Sequence, residues 1–299
     1  MTTTPADVPG IDHVVILVRD LDAAEAAFRR LGFHPTPRGF HSIGTQNHCL
    51  MFGNDYLELL SVVTPHPVTA YFSDFLTQRE GAAAIAFASD DADATWRGFV
   101  DRGIAADPPV DFARPVERPD GNRDARFRVV QLPVDATPGC RAFVCQHFTP
   151  ELVWLPAYQR HPLGVTGISG VDIVSADPEG TARAYARVVG SAVSAVDAKE
   201  GSFTVKLRGA VLRFGSREGV KGLDARIDAV RLRVSDLDGV ASTLAARGIP
   251  IERDPASGWS VAATEAMGVR VVLVGTESGR HPADPNTPAA RRSSIRRSS

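Results

Sequence analysis

The sequence lacks the features that mark several large classes of protein. Its 299 residues include three cysteines, Cys49, Cys140 and Cys145, an odd number that is too small for a disulfide framework and favours a reducing compartment. There is no apolar run of about 18 residues to suggest a transmembrane helix, and the first ten residues have no signal-peptide pattern. We therefore expect a cytoplasmic protein that does not bind membranes.

Charge and motif content exclude further activities. The formal net charge is -2, and basic residues are not interleaved with aromatic ones, so we expect no nucleic-acid partner. The motifs GxxxxGK[ST], GxGxxG after a strand, GxSxG and HExxH are all missing. The apolar fraction of 43% is enough for substantial cores, and a chain of this length is expected to form two domains.

The sequence does contain an internal repeat. The segment IDHVVILVRDLD at 11–22 aligns without gaps with IDAVRLRVSDLD at 227–238, and the helices predicted after them end at Gly32 and Gly248. Two weaker copies begin near residues 82 and 165. Each copy opens with a strand, continues with an Asp-capped helix and ends in β-rich sequence. The chain is therefore predicted to contain four βαβββ units in two pairs.

The spacing of the four units predicts the domain organisation. We expect an N-terminal extension at 1–10, a first domain at 11–148, a connecting arm at 149–164, a second domain at 165–277 and a disordered basic tail at 278–299. In the first unit, strands are predicted near 40–42, 47–52 and 56–62, and Gly53-Asn54-Asp55 forms the turn between the last two. The second unit has the longest predicted loop, at 108–124.

Two ionisable residues in apolar strands are the first candidates for a functional site. His13 lies on the opening strand, and Glu58 lies in the middle of YLELL, where a charged carboxylate is costly unless it is paired or bound to a cation. Strand alternation places His147 on one face of the last strand of the second unit, together with Phe143 and Cys145.

A third histidine, His48, competes with His147 for a place beside Glu58. Alternation puts His48 on one face of its strand with Leu50 and Phe52, whereas Asn47 shares the other face with Cys49 and Met51. The sequence does not decide which of these two sets faces inward.

The paired βαβββ units, His13 in IDHVVILVRDLD and the glutamate in YLELL resemble the vicinal oxygen chelate superfamily, which contains glyoxalase I, extradiol dioxygenases and bleomycin-binding proteins. The segments NHCLMFGNDYLELL and CQHFTPELVW resemble its glyoxalase-like members in particular. This resemblance implies an α+β fold in which four βαβββ modules pair into two curved mixed-sheet domains. It also implies a divalent metal ion, held by residues on the first and last strands of the units.

The resemblance also implies which residues would hold the ion. His13 and Glu58 match the ligand positions of the first unit, whereas the partner unit has Ala84 at the first-strand position and the second pair has Gly170 and Ala229. The second domain is therefore expected to be metal-free. We predict His147 as the third ligand, with His48 as the competing choice, and the ion could be Zn²⁺, Fe²⁺, Mn²⁺ or Ni²⁺.

The implied function is that of a metal-dependent enzyme for a small, partly apolar molecule with vicinal oxygens, working by isomerase, lyase or epimerase chemistry through a metal-bound enediolate. Two alternatives stay open: an Fe(II)-dependent ring-cleaving dioxygenase, and a protein that sequesters a small molecule without turnover. A homodimer also stays open. The predicted proton-transfer residues are Glu58, His48 and His147. The predicted pocket residues are Tyr56, Phe143, Cys145 and Trp154.

Overall fold

The computed structural model describes residues 10–116, 121–197, 201–216, 225–254 and 258–276. The predicted basic tail and nearly all of the predicted N-terminal extension lie outside these ranges. The described residues form sixteen strands and five α-helices.

The first half of the chain contains eight strands and three helices. The strands are β1 Gly10–Leu17, β2 Gly39–Phe40, β3 Thr45–Met51, β4 Tyr56–Val62, β5 Gly81–Ala88, β6 Val110–Val116, β7 Arg123–Gln131 and β8 Arg141–His147, and the helices are α1 Leu21–Arg30, α2 Ala70–Gln78 and α3 Ala92–Asp101.

The second half repeats the pattern with eight strands and two helices. The strands are β9 Val165–Val174, β10 Val193–Asp197, β11 Ser202–Leu207, β12 Ala210–Gly215, β13 Arg226–Val234, β14 Ile251–Arg253, β15 Trp259–Val261 and β16 Arg270–Gly275, and the helices are α4 Pro178–Val189 and α5 Leu237–Ala246.

The strands assemble into two mixed sheets with matching topology. The first sheet has the order β2-β3-β4-β1-β5-β8-β7-β6, and the second has the order β10-β11-β12-β9-β13-β16-β15-β14. In the first sheet, β1 is parallel to β4 and antiparallel to β5; β9 has the same relations to β12 and β13. The predicted α+β fold of paired βαβββ units is thereby confirmed.

The first sheet curls until its two edge strands approach each other. The ring of His41, next to β2, lies 5.9 Å from that of Phe112 on β6. Because side chains alternate across a strand, this curl divides the sheet residues into an inner set and an outer set. The outer set packs against the helices.

The helices form where the sequence predicts them, beginning with α1. The Asp20 side chain accepts a hydrogen bond from the backbone N–H of Ala23 at 3.0 Å and so caps the first turn. Ala24 and Phe28 lie on the buried face of this helix. The chain turns directly after α1 at Gly32, where φ is 95°, a conformation that favours glycine. No helix among the described residues is long and apolar enough to cross a membrane.

Two elements differ from the sequence-based expectation. Helix α2 was not predicted; it follows a short 3-10 turn that begins at Pro67 and is capped by His66. Most of the predicted loop at 108–124 instead contributes to β6 and β7. Strand β6 pairs with β7 along its whole length. Phe112 lines the cavity, and the exposed Asp111 pairs with Arg128 on β7 at 2.7 Å.

Candidate metal and substrate site

A cavity of about 400 Å³ lies inside the curl of the first sheet. Its wall is largely apolar and rich in aromatic side chains, which suits a partly apolar small molecule. Its aromatic residues include Tyr56, Phe72, Phe112, Phe127 and Phe143, and its polar residues include His13, His41, Asn47, Glu58, Arg114 and Arg141.

His13 and Glu58 meet in the wall of this cavity. His13 Nε2 lies 3.7 Å from Glu58 Oε2, and both side chains are buried. The imidazole of His13 stacks on Tyr56 at 4.5 Å and meets the edge of Phe143 at 5.4 Å. The pairing of β1 with β4 makes this possible, since it sets His13 opposite Tyr56 and therefore two residues from Glu58 on the same face.

Each member of this pair is held by a second polar contact. His13 Nδ1 lies 2.6 Å from Asp12 Oδ1, and the Asn47 amide donates to Glu58 Oε1 at 2.6 Å. The open question about strand β3 is thereby answered, because Asn47 and Cys49 line the cavity. These contacts fix the orientation of both side chains.

Asp12 is a residue that the sequence analysis missed. Its second oxygen, Oδ2, lies 2.8 Å from His147 Nε2, so one buried carboxylate bridges two imidazoles. Burial raises the pKa of this carboxyl, but the hydrogen bonds with His13 and His147 outweigh burial and leave the pKa below its ordinary value. The pairing of β1 with β5 shifts register between Ile11 and His13, and an irregularity of this kind leaves no signal in a simple alternation pattern.

His48 lies on the other face of the sheet, so the structure removes it from the site. Its Nδ1 lies 2.7 Å from the carbonyl oxygen of Thr36, and its Nε2 lies 3.5 Å from Glu25 Oε2 on helix α1. Strand alternation explains this placement, because His48 is flanked on β3 by the inward-facing Asn47 and Cys49.

His147 lies beside Asp12 at the end of β8, with no contact to Glu58 among the described residues. Its Nε2 is 3.6 Å from Cys145 Sγ, and the ligand atoms of Asp12, Cys145 and His147 all lie within 4.8 Å of one another. This group is a second candidate metal-binding group. Burial raises the pKa of the Cys145 thiol well above its ordinary value, so the thiol is neutral at pH 7.

The four predicted pocket residues line two cavities, and Cys145 lines both of them. Tyr56, Phe143 and Cys145 line the 400 Å³ cavity. Trp154 instead lines a second cavity of about 630 Å³, whose wall includes residues from both sheets. The Trp154 ring lies 4.6 Å from the ring of His147 and 6.2 Å from that of Tyr56. Trp154 therefore packs against two residues near the site, but it does not line the cavity that contains His13 and Glu58.

His41, in the strand predicted near 40–42, is a second residue that the sequence analysis did not assign to the site. It lines the cavity, and its Nδ1 lies 2.7 Å from the Thr45 hydroxyl. Burial lowers the pKa of His41, although the negative charge of Glu58 opposes this effect. His41 is therefore largely neutral near pH 7, and its Nε2 can accept a proton in the tautomer whose Nδ1–H donates to the Thr45 hydroxyl.

The partner unit contributes apolar residues where the first unit contributes His13 and Glu58. Ala84 on β5 pairs with Arg141 on β8 as His13 pairs with Tyr56. Two residues further along β8, Phe143 therefore occupies the position that matches Glu58. The second unit therefore offers no metal-ligating side chain at the two positions that match His13 and Glu58.

The matching face of the second sheet is occupied by ion pairs. Arg231, on β13, contacts Asp172 at 2.7 Å and Asp254 at 3.0 Å. Arg270, on β16, contacts Asp228 and Asp254 at 3.1 Å.

Residues 11–189 match the family model described as a glyoxalase-like domain. The chain belongs to this glyoxalase-like family. No curated protein matches the sequence.

Solved structures extend the likeness to the whole fold. A hypothetical protein from Staphylococcus aureus is similar, with a TM-score of 0.66 and 13% identity over 89% of this chain and 99% of that one. A mutant of 4-hydroxymandelate synthase from Streptomyces coelicolor has a TM-score of 0.55 and 18% identity over 83% and 78%. A fusion protein of a xylose isomerase-like TIM barrel and 4-hydroxyphenylpyruvate dioxygenase has a TM-score of 0.61 and 13% identity over 93% and 51%. At these identities the likeness establishes the vicinal oxygen chelate fold alone.

Proposed function

We propose that this glyoxalase-like protein is a metal-dependent enzyme that acts on a small, partly apolar molecule in the 400 Å³ cavity. The observation that carries the proposal is the 3.7 Å separation of His13 Nε2 and Glu58 Oε2 in the cavity wall. Bonds of about 2.0–2.2 Å place two ligand atoms of one ion roughly 3–4 Å apart, so this separation suits a shared divalent ion.

The surroundings of the pair fit a metal site. Asp12 faces Nδ1 of His13, and Asn47 donates to the second oxygen of Glu58, as outer partners of metal ligands commonly do. An imidazole with a carboxylate suits Zn²⁺, Fe²⁺, Mn²⁺ or Ni²⁺. Because Ala84 and Phe143 offer no ligands, the ion would be held weakly and would keep several positions open for two oxygens of a substrate.

His41 and the cavity wall suggest how the chain's own residues act. When bound, a divalent ion would polarise substrate oxygens and lower the pKa of a neighbouring C–H group. Neutral His41, oriented by the Thr45 hydroxyl, accepts that proton and can return it to another carbon or to a leaving group. The aromatic wall orients the apolar part of the substrate and excludes water. This chemistry is that of an isomerase, lyase or epimerase.

The proposal revises one role and leaves others as predictions. We no longer assign the third ligand to His147, because its Nε2 is engaged with Asp12 at 2.8 Å. The cytoplasmic location, the domain boundaries and the homodimer stay predictions.

Metal analysis of protein purified without chelator tests the proposal. We expect saturable binding of one Mn²⁺ or Zn²⁺ per chain, lost in His13→Asn and Glu58→Gln because each removes one of two ligands. His34→Asn is the matched control, since His34 contacts Tyr158 and not the cavity. Unchanged binding in both site variants would contradict the proposal.

Two other functions have an observation in their favour. The names of two similar structures, 4-hydroxymandelate synthase and 4-hydroxyphenylpyruvate dioxygenase, favour an Fe(II)-dependent dioxygenase, which would consume oxygen on an aromatic substrate panel. The apolar Ala84 and Phe143 at ligand positions favour a protein that sequesters a small molecule. That protein would bind its ligand equally well in metal-free form and would turn over nothing.

A further inference from the structure

Two arginines line the cavity beside the proposed metal site. Arg114 lies on β6 and Arg141 on β8. The Arg141 guanidinium donates twice to the amide oxygen of Gln131, at 3.1 and 3.3 Å. Neither arginine forms an ion pair within the described part of the chain. The carboxylates that line the cavity are engaged elsewhere, Glu58 with Asn47 and His13 and Asp111 with Arg128.

The second sheet contains an internal comparison for Arg141. Arg270 pairs with Ala229 across β16 and β13 as Arg141 pairs with Ala84 across β8 and β5. Arg270 has carboxylate oxygens of Asp228 and Asp254 at 3.1 Å and one of Asp172 at 3.5 Å. The arginine at this position of the fold therefore has carboxylate partners in the second sheet and none in the described part of the first.

An unpaired guanidinium in such a cavity calls for an anion from outside. Arginine stays protonated at any ordinary pH, and both arginines are only partly exposed beside aromatic side chains, where an anion from solution can form charge-assisted hydrogen bonds with them. The planar guanidinium matches a carboxylate, with which it forms two parallel hydrogen bonds. Phe112, Phe127 and Phe143 line the rest of the cavity and suit an apolar body.

We infer that the ligand of this cavity is an organic carboxylate, whose anionic group pairs with Arg141 while Arg114 adds positive charge to the same cavity, and whose apolar body contacts the aromatic wall. The inference rests on the proposed function only in taking the same cavity as the substrate site. It adds a chemical class of substrate and two residues that determine specificity.

The test compares acids with neutral ligands of the same shape. Arylalkanoates with one to four methylene groups are titrated into the full-length protein by calorimetry, alongside their primary amides. We expect the best acid to bind at least tenfold more tightly than its amide at low salt. In the double variant Arg114→Gln/Arg141→Gln the two should bind within about twofold of each other. Arg97→Gln, an exposed arginine on α3, should keep the preference.

The outcomes separate this inference from the proposed function. Equal binding of acid and amide by the wild-type protein, or no saturable binding of any acid, would overturn the inference even if metal binds as proposed. A preference that survives in the double variant would also overturn it. If the double variant does not fold, the wild-type comparison and Arg141→Gln alone decide. If the wild-type protein prefers the acid but binds no metal, that result would contradict only the proposed function.

Discussion

Asp55 should make the protein less stable as the pH rises from about 4 to 7. This residue lies between β3 and β4 and connects the two sheets, because its Oδ1 accepts a hydrogen bond from the backbone N–H of Ile168 at 2.8 Å. Burial raises its pKa from 3.8 to about 7, although the Ile168 hydrogen bond and the charge of Arg233 partly oppose this. Folded Asp55 therefore keeps its proton at pH values where the unfolded chain has lost it.

The sign and size of the effect follow from this difference. Below about pH 4 both states bind the proton, and Asp55 does not make stability depend on pH. Between about 4 and 7 only the folded state binds it, so the free energy of unfolding falls by about 1.4 kcal/mol per pH unit. Above pH 7 the full penalty is present, about 4 kcal/mol from the shift of about three units.

Asp55→Asn removes the ionisable group but keeps an oxygen that can accept from Ile168. We expect the variant to match the wild type in urea midpoint near pH 4.5 and to exceed it near pH 8, with Asp101→Asn, an exposed residue at the end of α3, as control. Parallel stability profiles of wild type and Asp55→Asn from pH 4.5 to 8 would refute the reasoning.

Other parts of the structure give further predictions. Asp12→Asn should weaken metal binding by about 10- to 100-fold, measured by titration, because it withdraws the carboxylate behind His13; unchanged affinity would count against that role. If His41 is the proton acceptor, kcat/KM should fall on the acid side with a midpoint below pH 6.5, and His41→Ala should lose that limb of the profile. Cys145 should be inert to a disulfide reagent at pH 8 in the folded protein and reactive in urea, since burial raises its pKa; fast reaction of the native protein would contradict this. Arg231→Ala should lower the free energy of unfolding by about 3–5 kcal/mol, because it leaves Asp172 and Asp254 with fewer cations.

The fold could be predicted because its pattern is repeated in the sequence. Apolar strand openings, Asp caps and glycine stops recur in each unit, and β4 spans Tyr56–Val62, as predicted. Helix α2 was missed because it lies between units and has no repeat to reveal it. Strand β6 was missed because its proline and charged residues are typical of a loop, and it forms as an edge strand.

Only the part of the site that follows from strand alternation and the family resemblance could be predicted from the sequence. Alternation and the family resemblance identify His13 and Glu58, which the structure brings together. Alternation cannot say which face of β3 is concave, so His48 stayed open until the curl of the sheet was known. The place of Asp12 in the site depends on the register shift between β1 and β5, and that of His41 depends on the approach of the two sheet edges. Neither feature can be predicted from the sequence of a single strand.

The claim that His13 and Glu58 bind one cation is tested most directly by anomalous diffraction from crystals soaked in Mn²⁺. We expect a single strong peak within bonding distance of both His13 Nε2 and Glu58 Oε2. A peak at the Asp12, Cys145 and His147 group instead, or no peak at millimolar Mn²⁺, would contradict the account.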